Sequence, residues 1–459
     1  MVPGHRARIG RTLIGIALLT LSLHFAPARA LQQAPLAAAS SDRTASDAAA
    51  DSVVTPDSAR VDTVVAQTAT TAVVLAASDS MTVQADSMAA VEAHPQDSPE
   101  DRGLLIISAD GKSSLRIRGS IRLNGAYDFN GLQSTETFDT FQIPTGAANK
   151  TEPRFFMSAR QTRIGLEASR DSDRGEIFMR IEADFLGDPF LFRLRHAFGR
   201  LRHFTVGQTW STFGDVASVP RTVDLDGPNS SVQVRTVQIR YSRQPRTWLR
   251  WAVGAESPEP EVNEPDSLGL EPAFQSFPDI TARARTPHRW GHVQLAGVFR
   301  SIAVREPRQG DVDYLLGAGL LFSGRVDPGK RNEFLWQLVG GEGISRFVTA
   351  LSGQNLDVVF NPNTMSWETL AEFGGYLSFG RHWSPRTVSY LTVGSTVIQN
   401  KEFQSDDAFS HSGYVSGNGF WDITQGMRVG VEYSWGIRED KGGATGTANR
   451  LSFIFYYDF

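Results

Sequence analysis

The chain ends in the stretch RLSFIFYYDF, residues 450–459, in which apolar and polar side chains alternate. Successive side chains of an extended strand point to opposite faces, so this pattern sorts the stretch into two rows. One row is apolar: Leu451, Phe453, Phe455, Tyr457 and Phe459. The other row is mostly polar: Arg450, Ser452, Tyr456 and Asp458, with Ile454 as an exception. A terminal strand with such an apolar, aromatic row is typical of a strand that faces lipid.

The same alternation runs through LRIRGSIRLNGAY (115–127), GEIFMRIEADF (175–185) and MRVGVEYSWGIR (427–438). A half-exposed strand of a soluble protein also has period two, so these stretches alone leave both fold classes open. In a membrane barrel the apolar row faces lipid, and the row that carries arginines faces a water-filled interior. The terminal Phe459 favours the barrel, because it is like the assembly signature of bacterial outer-membrane barrels. It predicts that the barrel-assembly machinery recognises this chain.

The N-terminus has the three parts of a secretory signal peptide. The basic start MVPGHRARIGR is followed by the apolar run TLIGIALLTLSLHF and by the small-residue ending APARA. The apolar run is too short for a membrane-spanning helix, which needs about 20 residues. We therefore predict a signal peptide over residues 1–30, cleaved after Ala30, and export to the outer membrane of a Gram-negative bacterium.

Residues 31–100 are rich in Ala, Ser, Thr and Asp and carry ten acidic residues against two arginines. Their apolar residues keep neither a helical nor a strand period for long, which indicates a low-complexity, disordered periplasmic segment. A coiled coil around Val61 to Val91 is the alternative, although convincing heptads are missing. No cysteine is present, so the exported chain uses no disulfide.

Sixteen alternating segments follow, separated by turn signals: 115–128, 155–169, 175–185, 190–200, 203–210, 231–242, 247–256, 279–286, 291–301, 313–324, 332–342, 366–380, 386–398, 412–421, 427–437 and 448–459. The long connections are 129–153, 257–278, 343–365 and 399–411. Short turns that alternate with long loops predict an all-β fold, a 16-stranded antiparallel transmembrane β-barrel over residues 101–459. This number of strands predicts a water-filled lumen rather than a packed core.

Three stretches carry a resemblance to a known family: ARQTRIGLEASRDSDRGEIFMRIEADF (159–185), FRLRHAFGRLRHFTVGQTWSTFGD (192–215) and DLDGPNSSVQVRTVQIRYSR (224–243). They resemble the DcaP-like porins. The resemblance implies a homotrimeric, anion-preferring outer-membrane channel, associated in that family with dicarboxylate-type solutes. Relatives often carry a coiled-coil N-terminal extension, and residues 31–100 depart from that pattern.

The stretch STFGDVASVPRTVDLDGPNSS, residues 211–231, follows the fifth predicted strand. In 16-stranded porins the loop in this position folds into the lumen and narrows it, and we expect a constriction loop here. Its charged residues are Asp215, Arg221, Asp224 and Asp226. An ordinary extracellular loop is the alternative.

Arginine accounts for 34 of the 39 basic residues in 101–459, and alternation places many of these arginines on inward faces. The candidate pore-lining and anion-binding arginines are Arg116, Arg118, Arg122, Arg163, Arg180, Arg193, Arg195, Arg221, Arg240, Arg250, Arg283 and Arg285, with Arg300, Arg428 and Arg450 also inward. Rings of arginine favour the passage of anions, and a guanidinium grips a carboxylate with two hydrogen bonds.

Pairing with inward acids is the alternative role for these arginines; the candidate partners are Glu167, Glu176, Glu182, Asp184 and Glu432. The strongest candidates for anion binding come from early strands whose own inward faces are nearly free of acids, together with one loop residue: Arg116, Arg118, Arg122, Arg193, Arg195 and Arg221.

The sequence gives little support for catalysis, metal binding or nucleic-acid binding. Neither H-E-x-x-H nor G-x-S-x-G occurs, so no enzyme is predicted. His288 and His292 span a turn rather than a helix face, and DLDG at 224–227 lacks the later calcium ligands, so we expect neither metal nor cofactor. The net charge of -5 and the lack of a basic cluster argue against nucleic acid as a partner.

The sequence therefore predicts a channel for passive diffusion of small anionic solutes, carboxylates or dicarboxylates, across a lipid membrane. A phosphate-type anion porin is one alternative. A barrel with a mainly structural or envelope-tethering role is another, in which residues 31–100 would form the link.

Overall fold

The computed structural model describes residues 102–459, except residues 131, 133, 147–151, 188–190, 266–268, 271, 308–309 and 330. The expected signal peptide and the expected low-complexity segment lie outside the described residues. Within the described part of the chain, no helix has the length and apolar character needed to cross a membrane.

The described residues form 21 strands: β1 (Leu104–Ile107), β2 (Ser113–Asp128), β3 (Arg154–Ser158), β4 (Arg163–Ser172), β5 (Gly175–Gly187), β6 (Leu191–Leu201), β7 (Phe204–Trp210), β8 (Arg235–Arg246), β9 (Leu249–Glu256), β10 (Val262–Asn263), β11 (Asp279–His288), β12 (Gly291–Arg305), β13 (Val312–Val326), β14 (Asn332–Glu342), β15 (Val358–Asn361), β16 (Ser366–Thr369), β17 (Ala371–Ser384), β18 (Thr387–Gln399), β19 (Phe409–Thr424), β20 (Met427–Asp440) and β21 (Thr445–Asp458).

The large sheet closes into a barrel of sixteen antiparallel strands. Each wall strand pairs with its neighbours in the chain, and β2 pairs with β21 to complete the circle. β3 and β4 both pair with β2 on its other side, so they form one strand position that is interrupted at residues 159–162. This confirms the predicted 16-stranded antiparallel β-barrel, and each predicted segment overlaps one strand position of the wall.

Two predicted strands begin too early, because their first residues belong to the long loops. The segment predicted at 231–242 begins only at Arg235, because the residues before it belong to a loop that runs inside the barrel. The segment predicted at 366–380 is divided: β16 pairs with β15, and β17 enters the wall at Ala371. The strands β10, β15 and β16 form a separate three-stranded sheet within the long loops.

The alternation of β2 shows which face of the wall points outward. Leu115, Ile121 and Leu123 are exposed on the outer surface, whereas Arg118 and Arg122 are buried, with exposed fractions of 2% and 3%. Because a closed barrel in a bilayer must present its apolar side chains to lipid, the arginine row faces the interior. The predicted inward direction of this row is confirmed by this arrangement.

The C-terminal residue lies at the seam of the barrel. The amide of Phe459 donates to the carbonyl of Gly119, and the amide of Gly119 donates to the carbonyl of Phe459, both at 3.0 Å. The Phe459 ring also covers Gly119 so closely that a Cβ there would lie 2.6 Å from its Cζ atom. Gly119 is therefore required for the terminal aromatic ring to seat against β2.

The two rims of the barrel differ in the length of their connections. One rim carries tight turns, such as those after β4, β6, β8, β11, β17 and β19, and also holds the C-terminus. The other rim carries the long loops at residues 129–153, 211–234, 257–278 and 343–370. Bacterial barrels have short periplasmic turns and longer extracellular loops, so the short-turn rim is the periplasmic one.

The interior departs from the expected open lumen. Phe213 and Val232 of one long loop pack with Phe347 and Val348 of another, and this cluster lies against the wall residue Leu321. These loops enter the barrel because they bury apolar side chains there, each of which favours the inside by roughly 1.5–3 kcal/mol. The lumen is thus partly filled by packed loops.

We predict that Gly119→Val weakens closure of the barrel. The added side chain must displace the Phe459 ring and also crowds the backbone carbonyl oxygen of Arg163, which would lie 2.7 Å from the new Cβ. Overpacking of this kind costs about 1–3 kcal/mol in the free energy of unfolding. The measurement is the fraction of heat-resistant, fast-migrating barrel on a denaturing gel after refolding. Gly417→Val is the matched control, because a Cβ there meets no atom within 4 Å. Equal folded fractions for both variants would contradict the proposed seam.

Candidate functional site

The loop at residues 211–234, called here the constriction loop, crosses the barrel to the opposite wall. The amide of Val223 donates to Oε2 of Glu432 at 2.8 Å, and Nδ2 of Asn418 donates to the carbonyl of Arg221 at 3.0 Å. Glu432 and Asn418 belong to β20 and β19, which lie far around the wall from the point where the loop leaves β7. The expected inward-folded constriction loop is confirmed.

Asp215 anchors the first part of this loop. Its carboxylate accepts from Nη2 of Arg285 at 2.6 Å, Nε2 of His292 at 2.8 Å and Oγ of Ser323 at 2.8 Å. Burial alone would raise the pKa of Asp215, but Arg285 and His292 outweigh burial and hold this pKa well below its usual range. The fully buried carboxylate is therefore a charged fastener between the loop and strands β11, β12 and β13.

Asn229 joins the constriction loop to two other loops. Its Oδ1 atom accepts from the amide of Thr140 at 3.1 Å, and its Nδ2 atom donates to the carbonyl of Phe138 at 2.9 Å. Its own carbonyl accepts from the amide of Ala350 at 2.7 Å. Three chain segments that are distant in sequence are therefore held in one arrangement inside the barrel.

A cavity of 390 Å³ lies between the constriction loop and the wall formed by β4, β6 and β7. We call it the eyelet and define it by its arginines: Arg163, Arg193, Arg195, Arg235 and Arg346. Asp226 is the carboxylate among its described lining residues, and Trp210 and Phe347 supply aromatic surface. The charged side chains among these lining residues are thus mostly positive.

The wall arginines of the eyelet are held by carboxylates behind them. Asp184 accepts from Nε and Nη2 of Arg193 at 3.0 and 2.8 Å, which is a bidentate pair, and from Nη1 of Arg195 at 3.1 Å. Glu182 accepts from Nε of Arg195 at 2.8 Å. These bonds orient the guanidinium planes, and they also neutralise part of the positive charge.

The loop side of the eyelet presents two arginines on aromatic rings. The guanidinium of Arg235 lies 4.0 Å from the centroid of Trp210, and that of Arg346 lies 5.1 Å from the centroid of Phe347. Arg346 also donates to Oε2 of Glu259 at 3.2 Å. Each guanidinium is planar by delocalisation, and stacking on the ring fixes its orientation.

The sequence prediction identifies part of this site. Of the sequence candidates, Arg163, Arg193, Arg195 and Asp226 line the eyelet. Arg235 and Arg346 were missed. Arg235 is the first residue of β8, where the predicted strand had begun four residues earlier, and Arg346 lies in a long loop to which no alternation applies.

We expected the inward faces of the early strands to be nearly free of acidic residues. This expectation is wrong, because acidic residues lie next to these arginines once the strands are paired. Arg118 lies 3.0 Å from Glu167, and Arg180 lies 2.5 Å from Glu182. Glu167 reaches Arg118 from the neighbouring strand β4, whereas Glu182 lies on β5 with Arg180 and also binds Arg195 of the neighbouring strand β6. The alternative, in which inward arginines pair with inward acids, is seen for Arg118, Arg180, Arg193 and Arg195.

The other predicted arginines lie elsewhere. Arg116 donates to the carbonyl of Arg102, Arg122 to Ser120, Arg240 to the carbonyl of Trp210, Arg250 to Gln244, and Arg283 is buried in β11. Arg285 anchors the constriction loop instead of lining the eyelet. Arg300 binds Asp279 and Asp357, Arg428 binds Asp422, and Arg450 binds Asp128. Arg221 lines a second cavity near the short-turn rim.

The remaining residues that were singled out have structural contacts. Asp224 accepts from the amide of Phe138 at 2.9 Å, which links two loops. His288 stacks on Trp290, and His292 binds Asp215. Across the described residues, no group of three or more His, Cys, Asp or Glu side chains is placed to hold a metal ion.

A closed sixteen-stranded membrane barrel with an inward-folded loop and an arginine-lined cavity defines the class of outer-membrane channels. The family model described as DcaP outer membrane protein matches residues 91–459. The chain therefore belongs to the DcaP family of outer membrane proteins.

The chain is similar to solved structures. The crystal structure of the outer membrane channel DcaP of Acinetobacter baumannii matches with a TM-score of 0.68 and 18% sequence identity, covering 77% of this chain and 99% of that one. OmpT of Vibrio cholerae matches with a TM-score of 0.48 and 11% identity, covering 76% of this chain and 98% of that one. A search of the curated proteins finds no match.

We predict that Asp215→Asn loosens the constriction loop. The change removes the negative charge that Arg285 and His292 bind, and loss of one partner from a buried ion pair costs on the order of 3 kcal/mol. The expected result is a larger and noisier single-channel conductance with a lower melting temperature. Asp173→Asn, in the exposed turn after β4, is the control. Unchanged conductance in Asp215→Asn would show that other contacts fix the loop.

We also predict that the loop around Asp139 responds to pH. Burial, with a contribution from Asp226, raises the pKa of Asp139 to about 6, although its bond from the amide of Phe141 opposes the rise. Because the folded-state pKa lies above the ordinary value, this stabilisation is complete below about pH 4 and is lost as pH rises through about 6. Amide exchange over residues 138–143 should therefore be slower at pH 5 than at pH 7, after correction for intrinsic rates.

Asp139→Asn should remove this pH dependence, since its amide oxygen can still accept from Phe141 while its charge no longer changes. Asp406→Asn, in another exposed loop, serves as the control. Equal protection of the wild-type loop at both pH values would contradict the assignment.

Proposed function

We propose that this outer-membrane channel conducts small anions by passive diffusion and that the eyelet selects them. The observation that carries the proposal is the lining of the eyelet, where five arginines accompany one carboxylate among the described residues. Clustered arginines raise the local concentration of anions and lower the barrier to their entry. Transport of this kind needs no catalytic group.

Carboxylates, and dicarboxylates in particular, suit the chemistry of the eyelet best. Each guanidinium can give a carboxylate two parallel hydrogen bonds. Two carboxylates joined by a short hydrocarbon link can reach two of the clustered arginines at once. Partial neutralisation by Asp184 and Glu182 keeps binding weak enough for release, as conduction requires.

We also propose how the chain is processed, where it is located and how it assembles. Residues 1–30 are removed on export, residues 31–100 lie in the periplasm, and the barrel-assembly machinery recognises Phe459. The barrel then works as a homotrimer in the outer membrane. OmpT of Vibrio cholerae has a structure described as its trimer form.

The test is the reversal potential across a planar bilayer under a salt gradient. Wild type should be anion-selective, and Arg163→Gln combined with Arg235→Gln should move the reversal potential toward the cation side, because two charges of the eyelet are gone. Arg246→Gln removes one charge from an exposed turn at the short-turn rim and is the matched control.

The results of these measurements distinguish the candidate functions. A cation-selective wild type, or a double variant that behaves like Arg246→Gln, would contradict selection at the eyelet. Stronger competition by phosphate than by succinate for current block would favour the phosphate-type channel. A protein that folds but carries no current would favour a structural or tethering barrel.

A further inference from the structure

A second cavity, of 380 Å³, lies at the short-turn rim and is called here the exit cavity. It is lined by Arg102, Arg221, Arg386, Asp422, Thr424, Gln425, Gly426, Arg428, Tyr456 and Asp458. The turn after β17 supplies Arg386, and the turn after β19 supplies the run 424–426. The eyelet lies where β7 ends and β8 begins, toward the long-loop rim of the barrel. The two cavities are therefore distinct.

The constriction loop contributes to both cavities. Asp226 lines the eyelet, and Arg221, five residues earlier, lines the exit cavity. Nδ2 of Asn418 donates to the carbonyl of Arg221, and the guanidinium of Arg221 lies 5.8 Å from the centroid of Phe420. The loop thus carries one arginine away from the eyelet and fixes it against the far wall.

The charges of the exit cavity are only partly balanced. Four arginines accompany two carboxylates among its described lining residues. Asp422 is engaged by Arg428, whose Nη2 atom donates to it at 2.9 Å. The Nε atoms of Arg102 and Arg221 are buried and have no hydrogen-bond partner within the described structure. Clustered guanidinium groups repel one another, and an anion between them would relieve that repulsion and satisfy these donors.

Tyr456 adds a neutral donor to this cluster. Its hydroxyl oxygen accepts from Nη1 of Arg428 at 2.8 Å, so its own proton is directed to another acceptor. Two guanidinium groups lie near its ring, that of Arg122 at 5.3 Å and that of Arg428 at 5.7 Å from the centroid. A hydroxyl held beside guanidinium groups is a suitable contact for a carboxylate oxygen.

We propose that the exit cavity is a second anion-binding site, which takes the same multivalent carboxylates after they pass the eyelet and releases them to the periplasm. The inference rests on the proposed function of the channel. Two weak sites in series allow an anion to move from one to the next without deep trapping, as conduction requires.

The experiment measures block of chloride current in a planar bilayer by succinate added to one side at a time. Wild type is compared with Arg221→Gln and with Arg102→Gln combined with Arg221→Gln. We expect the concentration for half-block from the periplasmic side to rise roughly tenfold, as when one charge-assisted hydrogen bond is lost. Half-block from the extracellular side should change much less, because the eyelet is intact.

Two further variants sharpen the result. Arg221→Lys retains the charge without the bidentate fork, so its periplasmic half-block should lie between wild type and Arg221→Gln. Arg246→Gln removes a charge from the same rim outside both cavities and should match wild type. Heat-resistant migration on a gel verifies that each variant is folded.

Failure of this inference is distinguishable from failure of the proposed function. An anion-selective wild type whose periplasmic block is unchanged in Arg221→Gln would overturn the exit site and leave the eyelet proposal standing. A cation-selective wild type would overturn both. An equal loss of block in Arg246→Gln would show a general effect of rim charge and would also overturn the exit site.

Discussion

Closure of the sheet between β2 and β21 is the constraint on which the rest of the structure depends. In a bilayer each backbone N–H and C=O group must be paired within the protein, and a closed antiparallel barrel achieves this without an open edge. Closure assigns every second side chain to lipid and the others to the interior. Gly119 and Phe459 complete the circle, so the position of every inward arginine follows from this seam.

A closed wall alone would give a wide tube, and buried polar contacts hold loops inside it that narrow the passage. Asp215 fastens the constriction loop near its root, Glu432 holds its far part, and Asn229 joins it to two other loops. Apolar packing around Phe213 and Phe347 fills the space behind the loop. The arginines that remain around the open space can then act on a passing solute.

The features that depend on the two-residue alternation of apolar and polar side chains could be predicted from the sequence. Sixteen strands and their inward rows could be predicted in this way, and the constriction loop could be predicted from the likeness to 16-stranded porins. Arg163, Arg193 and Arg195 were among the inward candidates. Pairing of Arg118 with Glu167 could not be predicted, because it depends on the register between strands that are joined only in the fold. Arg346 could not be placed either, since its position follows from loop packing rather than from alternation. Arg221 was predicted in the constriction loop, but only the loop path shows that it leaves the eyelet.

The most direct test of the central claim, that anions cross at the eyelet, uses the absence of cysteine from the chain. Ser352 lines the eyelet and is exposed, so Ser352→Cys introduces one thiol there. Its rate of modification by a negatively charged thiosulfonate is compared with the rate for a positively charged one, while current is recorded. The account predicts faster reaction with the anionic reagent and a drop in current on modification. Faster reaction with the cationic reagent, or modification that leaves the current unchanged, would contradict it.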